Sequence, residues 1–273
     1  MTLSRRTFLA SAPATALAIG GLTLAGGRPA RADKSPAAPA NILIVLANEI
    51  AHPKMGFPMG FWAAELTHPY AELVAHGHAI TIASLKGGKV TVDAYSDPRH
   101  KSGYSAHDFV SLGFLTSPRH APLLDATAAL TDINPANHAA IIVAGGQAPM
   151  FTFRESTALQ GLIRAFYTAG KPTAALCHGV SALVDLKLDD GSYLVAGKTV
   201  TGFSAAEDAF VDKALGAKLF DWWVEPALRE RGAKYTERGM WANYAVADGN
   251  LITGQQQNSG GSVARLILEQ LAS

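Results

Sequence analysis

The sequence predicts an α/β sandwich with a mainly parallel central sheet. Residues 41–47, 139–144 and 172–176 are continuous apolar runs of strand length, which is typical of central strands covered on both faces. Segments with helical spacing separate these runs, and parallel strands require such crossover connections. Because no Pro/Ser-rich linker or charge run divides residues 33–273, we expect a single domain there.

The other elements follow from caps, turn residues and periodicity. Further strands are predicted over 80–84, as an extended pair around Gly197-Lys198 within 195–203, and around the Asp248-Gly249 turn within 241–253. Helices are predicted over 61–76, 156–169, a segment opening at Gly179, 205–215, 219–231 (broken near Pro226) and 259–271. The stretch 87–121 is irregular, and we expect it to cover the functional site or an oligomer interface.

The first 32 residues have the features of an export signal. Arg5-Arg6 lies in a twin-arginine pattern, a mildly apolar run follows, and Ala30-Arg31-Ala32 is typical of a cleavage site. We predict transport of the folded protein to a bacterial periplasm and cleavage after Ala32, with no stable membrane anchor afterwards. An uncleaved anchor is the alternative, but the run is short and rich in Gly, Thr and Pro.

Composition argues against several functional classes. The 23 basic and 22 acidic residues are scattered and give a net charge of +1, so there is no electrostatic footprint for nucleic acid. No Walker loop and no strand-linked G-x-G-x-x-G motif supports nucleotide binding. The nine histidines form no compact ligand motif, so we expect no metal and no other cofactor.

Cys177 is the only cysteine, and it falls at the turn between a predicted strand and a predicted helix. A sharp turn there exposes the sulfur at a helix N-terminus, where free N–H groups favour a thiolate, so we predict a thiol pKa below its usual value. A single thiol cannot form an internal disulfide in an oxidising compartment. A small buried core residue is the alternative interpretation, but the adjacent His178 and Gly179 favour a nucleophile.

Three other segments end at the same edge of the predicted sheet. Glu65 lies early on its helix and is expected to reach the sulfur, although a solvated glutamate is the alternative. The N–H groups of Gly145 and Gly146, with that of His178, are candidates for an oxyanion hole, and a simple turn is the alternative. Either Glu207 or Asp208 is positioned to orient His178, although both suit an ordinary first helical turn. Spacing alone does not decide between them.

Five motifs together resemble the ThiJ/PfpI superfamily, which is related to class I glutamine amidotransferases, and especially its glyoxalase III-like, heat-inducible chaperone branch. The motifs are GFWAAELTHPY, AGGQAPMF, AALCHG, VTGFSAAED and DGNLITGQ. The resemblance implies a flavodoxin-like three-layer sandwich and a homodimer. It also implies that Cys177 is the nucleophile, that His178 and Asp208 complete a triad, and that Glu65 pairs with the thiol.

Two segments depart from the pattern of that branch. Gln147-Ala148 stands where the branch usually has His-Gly, so a histidine is missing from the pocket wall. Gln256-Gln257-Asn258 replaces the usual Asn-Pro after the last motif, which indicates a changed pocket rim. For the dimer, the apolar segments 109–115 and Trp222-Trp223 offer candidate interface surface.

The leading functional hypothesis is a cofactor-free, stress-protective enzyme that acts on small reactive carbonyls and converts methylglyoxal to lactate. Cys177 would add to the aldehyde, and Glu65, held protonated near neutral pH by burial, would carry a proton between the two carbons. A holding chaperone is the second hypothesis, and it requires exposed apolar surface rather than the thiol. A cysteine hydrolase or amidase is the third.

Overall fold

The computed structural model describes residues 38–273, and its central feature is an eight-stranded sheet with the order β11-β12-β8-β7-β1-β4-β6-β5. The strands of this sheet are β1 (Asn41–Leu46), β4 (Ala79–Ser84), β5 (Lys86–Gly88), β6 (Thr127–Ala129), β7 (Ala140–Val143), β8 (Thr173–Leu176), β11 (Ala245–Asp248) and β12 (Leu251–Gly254). Two small sheets pair β2 (Ile50–Ala51) with β3 (Pro58–Met59) and β9 (Thr199–Val200) with β10 (Lys234–Tyr235).

The six inner strands of the large sheet run parallel, and an antiparallel strand closes each edge. From β1 the chain moves outward to β4 and β6, and it then returns to place β7 on the other side of β1. Such a reversal leaves a crevice beyond the carboxyl ends of the two central strands, where ligands bind in open α/β sheets. The segments carrying Glu65, Gly145 and Cys177 all follow strands that end at this edge.

Helices cover both faces of the sheet. In chain order they are α1 (Ala63–Ala75), α2 (Phe109–Thr116), α3 (Pro149–Thr152), α4 (Thr157–Thr168), α5 (Ser181–Val184), α6 (Ala205–Leu215), α7 (Val224–Glu230) and α8 (Gly260–Leu271). Helices α1, α2 and α8 contribute to one apolar cluster, and α4, α5 and α7 contribute to the other. Because side chains alternate across a strand, β1 supplies Ile42 and Ile44 to the first cluster and Leu43 and Val45 to the second. The predicted α/β sandwich with a mainly parallel sheet is confirmed.

Three local predictions are wrong. The pair around Gly197-Lys198 does not form, because β9 pairs in parallel with β10, a strand more than thirty residues later in the chain. Helix α7 begins at Val224 rather than at 219, which places Pro226 in the first turn, where a missing N–H is tolerated. The stretch 87–121 contains a helix, α2, whose N-cap is Asp108.

The predicted export signal lies outside the described residues and stays a prediction. Among the described helices, none has both the length and the apolar character that a bilayer span requires.

Candidate active site

Cys177 occupies a strained turn between β8 and a single 3₁₀ turn that leads into α5. Its φ angle is +56°, a left-handed conformation that non-glycine residues seldom adopt. Gly179 allows the elbow to pack against β7, because a Cβ atom there would lie 2.5 Å from the carbonyl oxygen of Val143. The strain and the tight packing hold the thiol above the carboxyl edge of the sheet, where it is almost fully buried.

Glu65 reaches the thiol from the first turn of α1. Its carboxyl contacts the Cys177 sulfur and is fully buried. The Oε2 atom accepts a hydrogen bond from the Gly145 N–H at 2.6 Å, whereas Oε1 has no nitrogen or oxygen partner among the described residues. A buried carboxyl oxygen without a hydrogen-bond partner is costly while the group is charged, so this environment favours the protonated form of Glu65.

Two backbone N–H groups point at the sulfur, and they come from Gly146 and His178. Gly145 was predicted to join them, but its N–H is engaged by Glu65. Gly146 has a φ of +111°, and a Cβ atom on it would lie 2.5 Å from the Trp62 nitrogen. Only glycine fits this position without a shift, so the segment after β7 brings its backbone into direct contact with the reactive centre.

His178 links the sulfur to a buried carboxylate. Its Nδ1 atom lies 3.9 Å from Cys177 Sγ, and its Nε2 atom lies 3.1 Å from Asp208 Oδ1. The Phe203 ring packs on the imidazole with a centroid distance of 4.3 Å, which fixes the plane of the ring. Burial raises the pKa of Asp208, and the neighbouring His178 opposes that effect. This is the geometry that orients a histidine beside a nucleophile.

Glu207, the other candidate acid, has a different set of partners. It completes a capping box with Ser204 at the start of α6, and it also accepts hydrogen bonds from the Trp241 N–H and the Gln255 side chain. The structure therefore places Asp208, and not Glu207, against the imidazole of His178.

Burial dominates the electrostatics of the thiol–carboxyl pair. It raises the pKa of Glu65 to about 8, in the direction that the sequence predicts. Burial also raises the pKa of the Cys177 thiol, the Glu65 carboxyl adds to that effect, and the N–H groups of His178 and Gly146 oppose it. The predicted lowering of the thiol pKa is wrong, because one 3₁₀ turn offers few free N–H groups against complete desolvation.

Asp93 is a buried site residue that sequence reasoning missed. Its Oδ1 atom accepts the Gly60 N–H at 2.8 Å, and Oδ2 accepts the Gln147 N–H at 2.7 Å. Burial raises its pKa to about 7. Asp93 therefore ties the segment before α1 to the segment after β7, and it positions the Gly146 N–H between them. No local pattern in the irregular 87–121 stretch marks this residue.

A cavity of about 410 Å³ opens above Cys177 and His178. Gln147 and Gln257 line it, so both segments that depart from the family pattern face the site. Tyr95 and Tyr104 also line it, which is consistent with the expectation that 87–121 covers the functional site. Within residues 38–273, no group of three or more His, Cys, Asp or Glu side chains is arranged to hold a metal ion.

The fold and this site define a class of α/β proteins in which a strand-to-helix elbow presents a cysteine to a buried carboxyl and a histidine. Residues 57–270 match the DJ-1/PfpI family, and the chain belongs to that family.

Two curated relatives and two solved structures illustrate the similarity. A glutathione-independent glyoxalase of Saccharomyces cerevisiae is 27% identical over 244 residues, which cover 83% of this chain and 96% of the yeast protein. A probable glutathione-independent glyoxalase of Schizosaccharomyces pombe is 35% identical over 147 residues, which span 51% of this chain and only 56% of that relative. The Rapid Encystment Protein 24 KDa of Francisella tularensis superimposes with a TM-score of 0.77 at 28% identity, covering 85% of this chain and 99% of that one. Glyoxalase III of Candida albicans shares the fold, with a TM-score of 0.71 at 22% identity over 85% of this chain and 97% of that one.

Proposed function

We propose that this protein is a cofactor-free glyoxalase that converts methylglyoxal to lactate through Cys177. The main support for this proposal is the position of the Cys177 sulfur, which lies between two backbone N–H groups and the carboxyl of Glu65. The reaction needs a nucleophile for an aldehyde, donors for a developing oxyanion and a carrier for one proton. The relatives described as glutathione-independent glyoxalases support the same assignment.

The first step joins the sulfur to the aldehyde carbon. A carbon–sulfur bond forms, the carbonyl π bond opens onto oxygen, and the thiol proton finishes on that oxygen as the hydroxyl of a hemithioacetal. The N–H groups of Gly146 and His178 stabilise the negative charge while it develops. At the end of this step Cys177 is bonded to the substrate and carries no charge.

Glu65 performs the second step in its ionised form, which is the minor form at neutral pH because burial raises its pKa to about 8. It removes the proton from the first carbon and returns it to the second carbon, while the electron pair moves through an enediol and the hydroxyl proton of the first carbon passes to the oxygen of the second. The first carbon is thereby oxidised to a thioester and the second is reduced to an alcohol, so no external oxidant or reductant is needed. Glu65 is suited to this role because it contacts the sulfur and its Oε1 atom has no hydrogen-bond partner among the described residues.

Water completes the reaction by releasing the product. His178, oriented by Asp208, accepts a proton from water as the water attacks the thioester carbonyl. The carbon–sulfur bond breaks, the sulfur recovers a proton from the imidazole, and the 2-hydroxy acid leaves. The free thiol and the ionised Glu65 are then ready for the next substrate molecule.

The test compares purified protein with the variant Cys177→Ser. Without added glutathione, the unmodified protein should consume methylglyoxal and release lactate in equal amounts, and Cys177→Ser should show no turnover above background. Circular dichroism should be the same for both proteins, because a serine hydroxyl fits the space of the thiol. If Cys177→Ser keeps wild-type turnover, Cys177 is not the nucleophile. If methylglyoxal is consumed without release of lactate, the proposed reaction is wrong.

A cysteine hydrolase is the second candidate, and the hydrogen bond between His178 and Asp208 favours it. Hydrolysis of an ester or amide uses the thiol and the imidazole but has no proton to move between carbons. Glu65→Gln therefore separates the candidates. A glyoxalase loses turnover in this variant, whereas a hydrolase assayed with a p-nitrophenyl ester retains most of it.

We also propose that the mature enzyme acts in the periplasm and protects against reactive carbonyls. The proposal rests on the twin-arginine pattern and the predicted cleavage site in residues 1–32.

A further inference from the structure

Helix α6 reverses the usual pattern of an amphipathic helix. Its two buried residues are the acids Glu207 and Asp208, whereas Phe210 and Leu215 are 50% and 45% exposed. A surface helix ordinarily buries its apolar residues and exposes its charges. Exposed large apolar side chains that share one region of a helix indicate a surface that contacts a ligand or a partner.

The apolar side of α6 faces the reactive centre. Phe210, Val211, Ala214 and Leu215 all line the cavity that opens above Cys177. The rest of the wall is strongly aromatic. The aromatic side chains outside α6 that line the cavity are Trp62, Tyr95, Tyr104, Phe203, Phe220 and Trp241. The apolar surface of α6 is therefore continuous with the nucleophile, and the cavity connects the two.

The charges around the cavity argue against an anionic ligand. Among the described residues that line it, none is Lys or Arg, and the carboxylate of Asp208 is bonded to His178. A site for an anionic substrate normally presents a cation or a cluster of free N–H groups. Methylglyoxal is neutral, but it is small for this cavity. The volume of about 410 Å³ falls within the range of sites for drug-sized ligands, so a single methyl group leaves the aromatic wall and α6 without a contact.

We propose that the substrate is a 2-oxoaldehyde whose second carbon carries a bulky apolar group, best an aryl group, which binds between α6 and the aromatic wall. The inference rests on the proposed glyoxalase reaction for the chemistry and on the cavity for the substituent. The aldehyde reaches Cys177 as in the mechanism above. The aryl group packs against Phe210 and Leu215, whose exposed surfaces it covers.

The experiment measures kcat/KM for phenylglyoxal and for methylglyoxal in the same protein. Because both substrates react through the same chemical steps, a change that affects those steps alters both values equally and leaves their ratio unchanged. Two variants, Phe210→Ala and Leu215→Ala, remove apolar wall, and both positions are exposed enough for the variants to fold. Leu123→Ala is the matched control, because Leu123 is 40% exposed and does not line the cavity.

We expect the wild-type ratio to favour phenylglyoxal, and we expect each wall variant to lower that ratio by about tenfold, as loss of apolar contact in a specificity pocket does. Leu123→Ala should keep the wild-type ratio. If the protein turns over methylglyoxal but the wall variants do not change the ratio, this inference is wrong and the proposed function still stands. An unchanged ratio together with an altered molecular mass in Phe210→Ala overturns it in favour of a second copy covering α6.

A second readout does not depend on turnover. Acetophenone, an unreactive aryl ketone, should slow alkylation of Cys177 by iodoacetamide in the wild-type protein, and acetone at the same concentration should not. Protection should be lost in Phe210→Ala and kept in Leu123→Ala. Protection without any turnover supports an aryl carbonyl site and contradicts the proposed reaction, whereas the absence of protection contradicts the site.

Discussion

Glu65 Oε2 accepts the Gly145 N–H at 2.6 Å, so the carboxyl that contacts the thiol also anchors the loop after β7. The next residue in that loop, Gly146, directs its N–H at the sulfur. The Glu65 side chain is therefore both the proposed proton carrier and the anchor of the loop that holds the oxyanion donor. A substitution of Glu65 tests proton transfer alone only if the new side chain still accepts a hydrogen bond from the Gly145 N–H.

Glu65→Gln meets that condition, because its amide oxygen can accept from Gly145 while its NH₂ group faces the sulfur. We expect methylglyoxal turnover to fall by roughly 10²-fold or more, since the amide cannot carry a proton between carbons. Iodoacetamide should still alkylate Cys177, because the thiol and its two N–H donors remain. Glu72→Gln on the same helix is the control and should match the wild type. Wild-type turnover in Glu65→Gln would exclude the shuttle role.

The same residue predicts the pH profile. Burial raises the pKa of Glu65 to about 8, and the second step requires the ionised carboxylate. The wild-type kcat/KM should therefore rise as the pH increases through about 8, rather than through the range of an ordinary glutamate. A profile measured from pH 6 to pH 9.5 checks this, and a value that is flat across pH 8 would contradict it.

Asp93 predicts a pH dependence of stability. Its pKa is raised from 3.8 to about 7 by burial, so between those values the folded protein keeps a proton that the unfolded chain releases. The free energy of unfolding should therefore fall as the pH rises through this window, with a slope of about 1.4 kcal/mol per pH unit from this carboxyl. Asp93→Asn cannot titrate, and its slope should be smaller by that amount. Urea unfolding of both proteins at pH 5 and pH 7 measures the difference, and parallel curves would show that Asp93 does not hold its proton.

The role of Asp93 could not be predicted from the sequence, whereas the inner strands and the position of Cys177 could. The inner strands were predictable because a continuous apolar run such as 41–47 suits a strand covered on both faces. The position of Cys177 was predictable because a strand, a glycine and a helix follow one another locally. Asp93 acquires its role only when Gly60 and Gln147, about thirty and fifty residues away in the chain, approach it.

The choice between Glu207 and Asp208 was undecided for a related reason. Adjacent helix residues point in directions about 100° apart, and the sequence does not reveal which direction faces His178. Besides its local capping box with Ser204, Glu207 accepts hydrogen bonds from Trp241 and Gln255, which come from a distant segment. The same long-range pairing explains the error at 195–203, where β10 rather than a local hairpin supplies the partner strand.

A homodimer remains a prediction, and the structure narrows its candidate surface. Phe114 and Leu115 are buried within their own chain, whereas Phe109 is 75% exposed and Val110 is 44% exposed on the same helix. Phe109→Glu places a charge on that surface and should convert the dimer to a monomer in light scattering at micromolar concentration. Phe109→Leu should remain dimeric. If the wild-type protein is a monomer under these conditions, the predicted homodimer is wrong.

Export by the twin-arginine route is tested by the double variant Arg5→Lys and Arg6→Lys. The route requires the arginine pair, so we expect the precursor to stay in the cytoplasm. Arg28→Lys, close to the predicted cleavage site, is the control and should be exported normally. Mass spectrometry of the exported protein should place the mature N-terminus near Asp33. Normal export of the double variant, or a mature N-terminus far from Asp33, would contradict the signal assignment.

Gly146 offers the sharpest test of the backbone donors, because its replacement changes no ionisable group. A Cβ atom at this position would lie 2.5 Å from the Trp62 nitrogen and 2.6 Å from the Phe61 Cα, at a φ of +111° that disfavours side chains. Gly146→Ala should push the loop away from α1 and move the N–H off the sulfur. We expect turnover to fall by about 10² to 10³-fold, as for loss of one oxyanion donor.

Gly161→Ala is the matched control for this substitution. Gly161 lies on the exposed side of α4, and a Cβ atom there meets nothing within 4 Å. The helix propensity of alanine should raise the free energy of unfolding by up to about 1 kcal/mol, and turnover should not change. Kinetic assays and urea unfolding of both variants separate loss of the donor from loss of the fold. If Gly146→Ala keeps wild-type turnover, the Gly146 N–H does not stabilise the oxyanion, and His178 must supply the backbone donor alone.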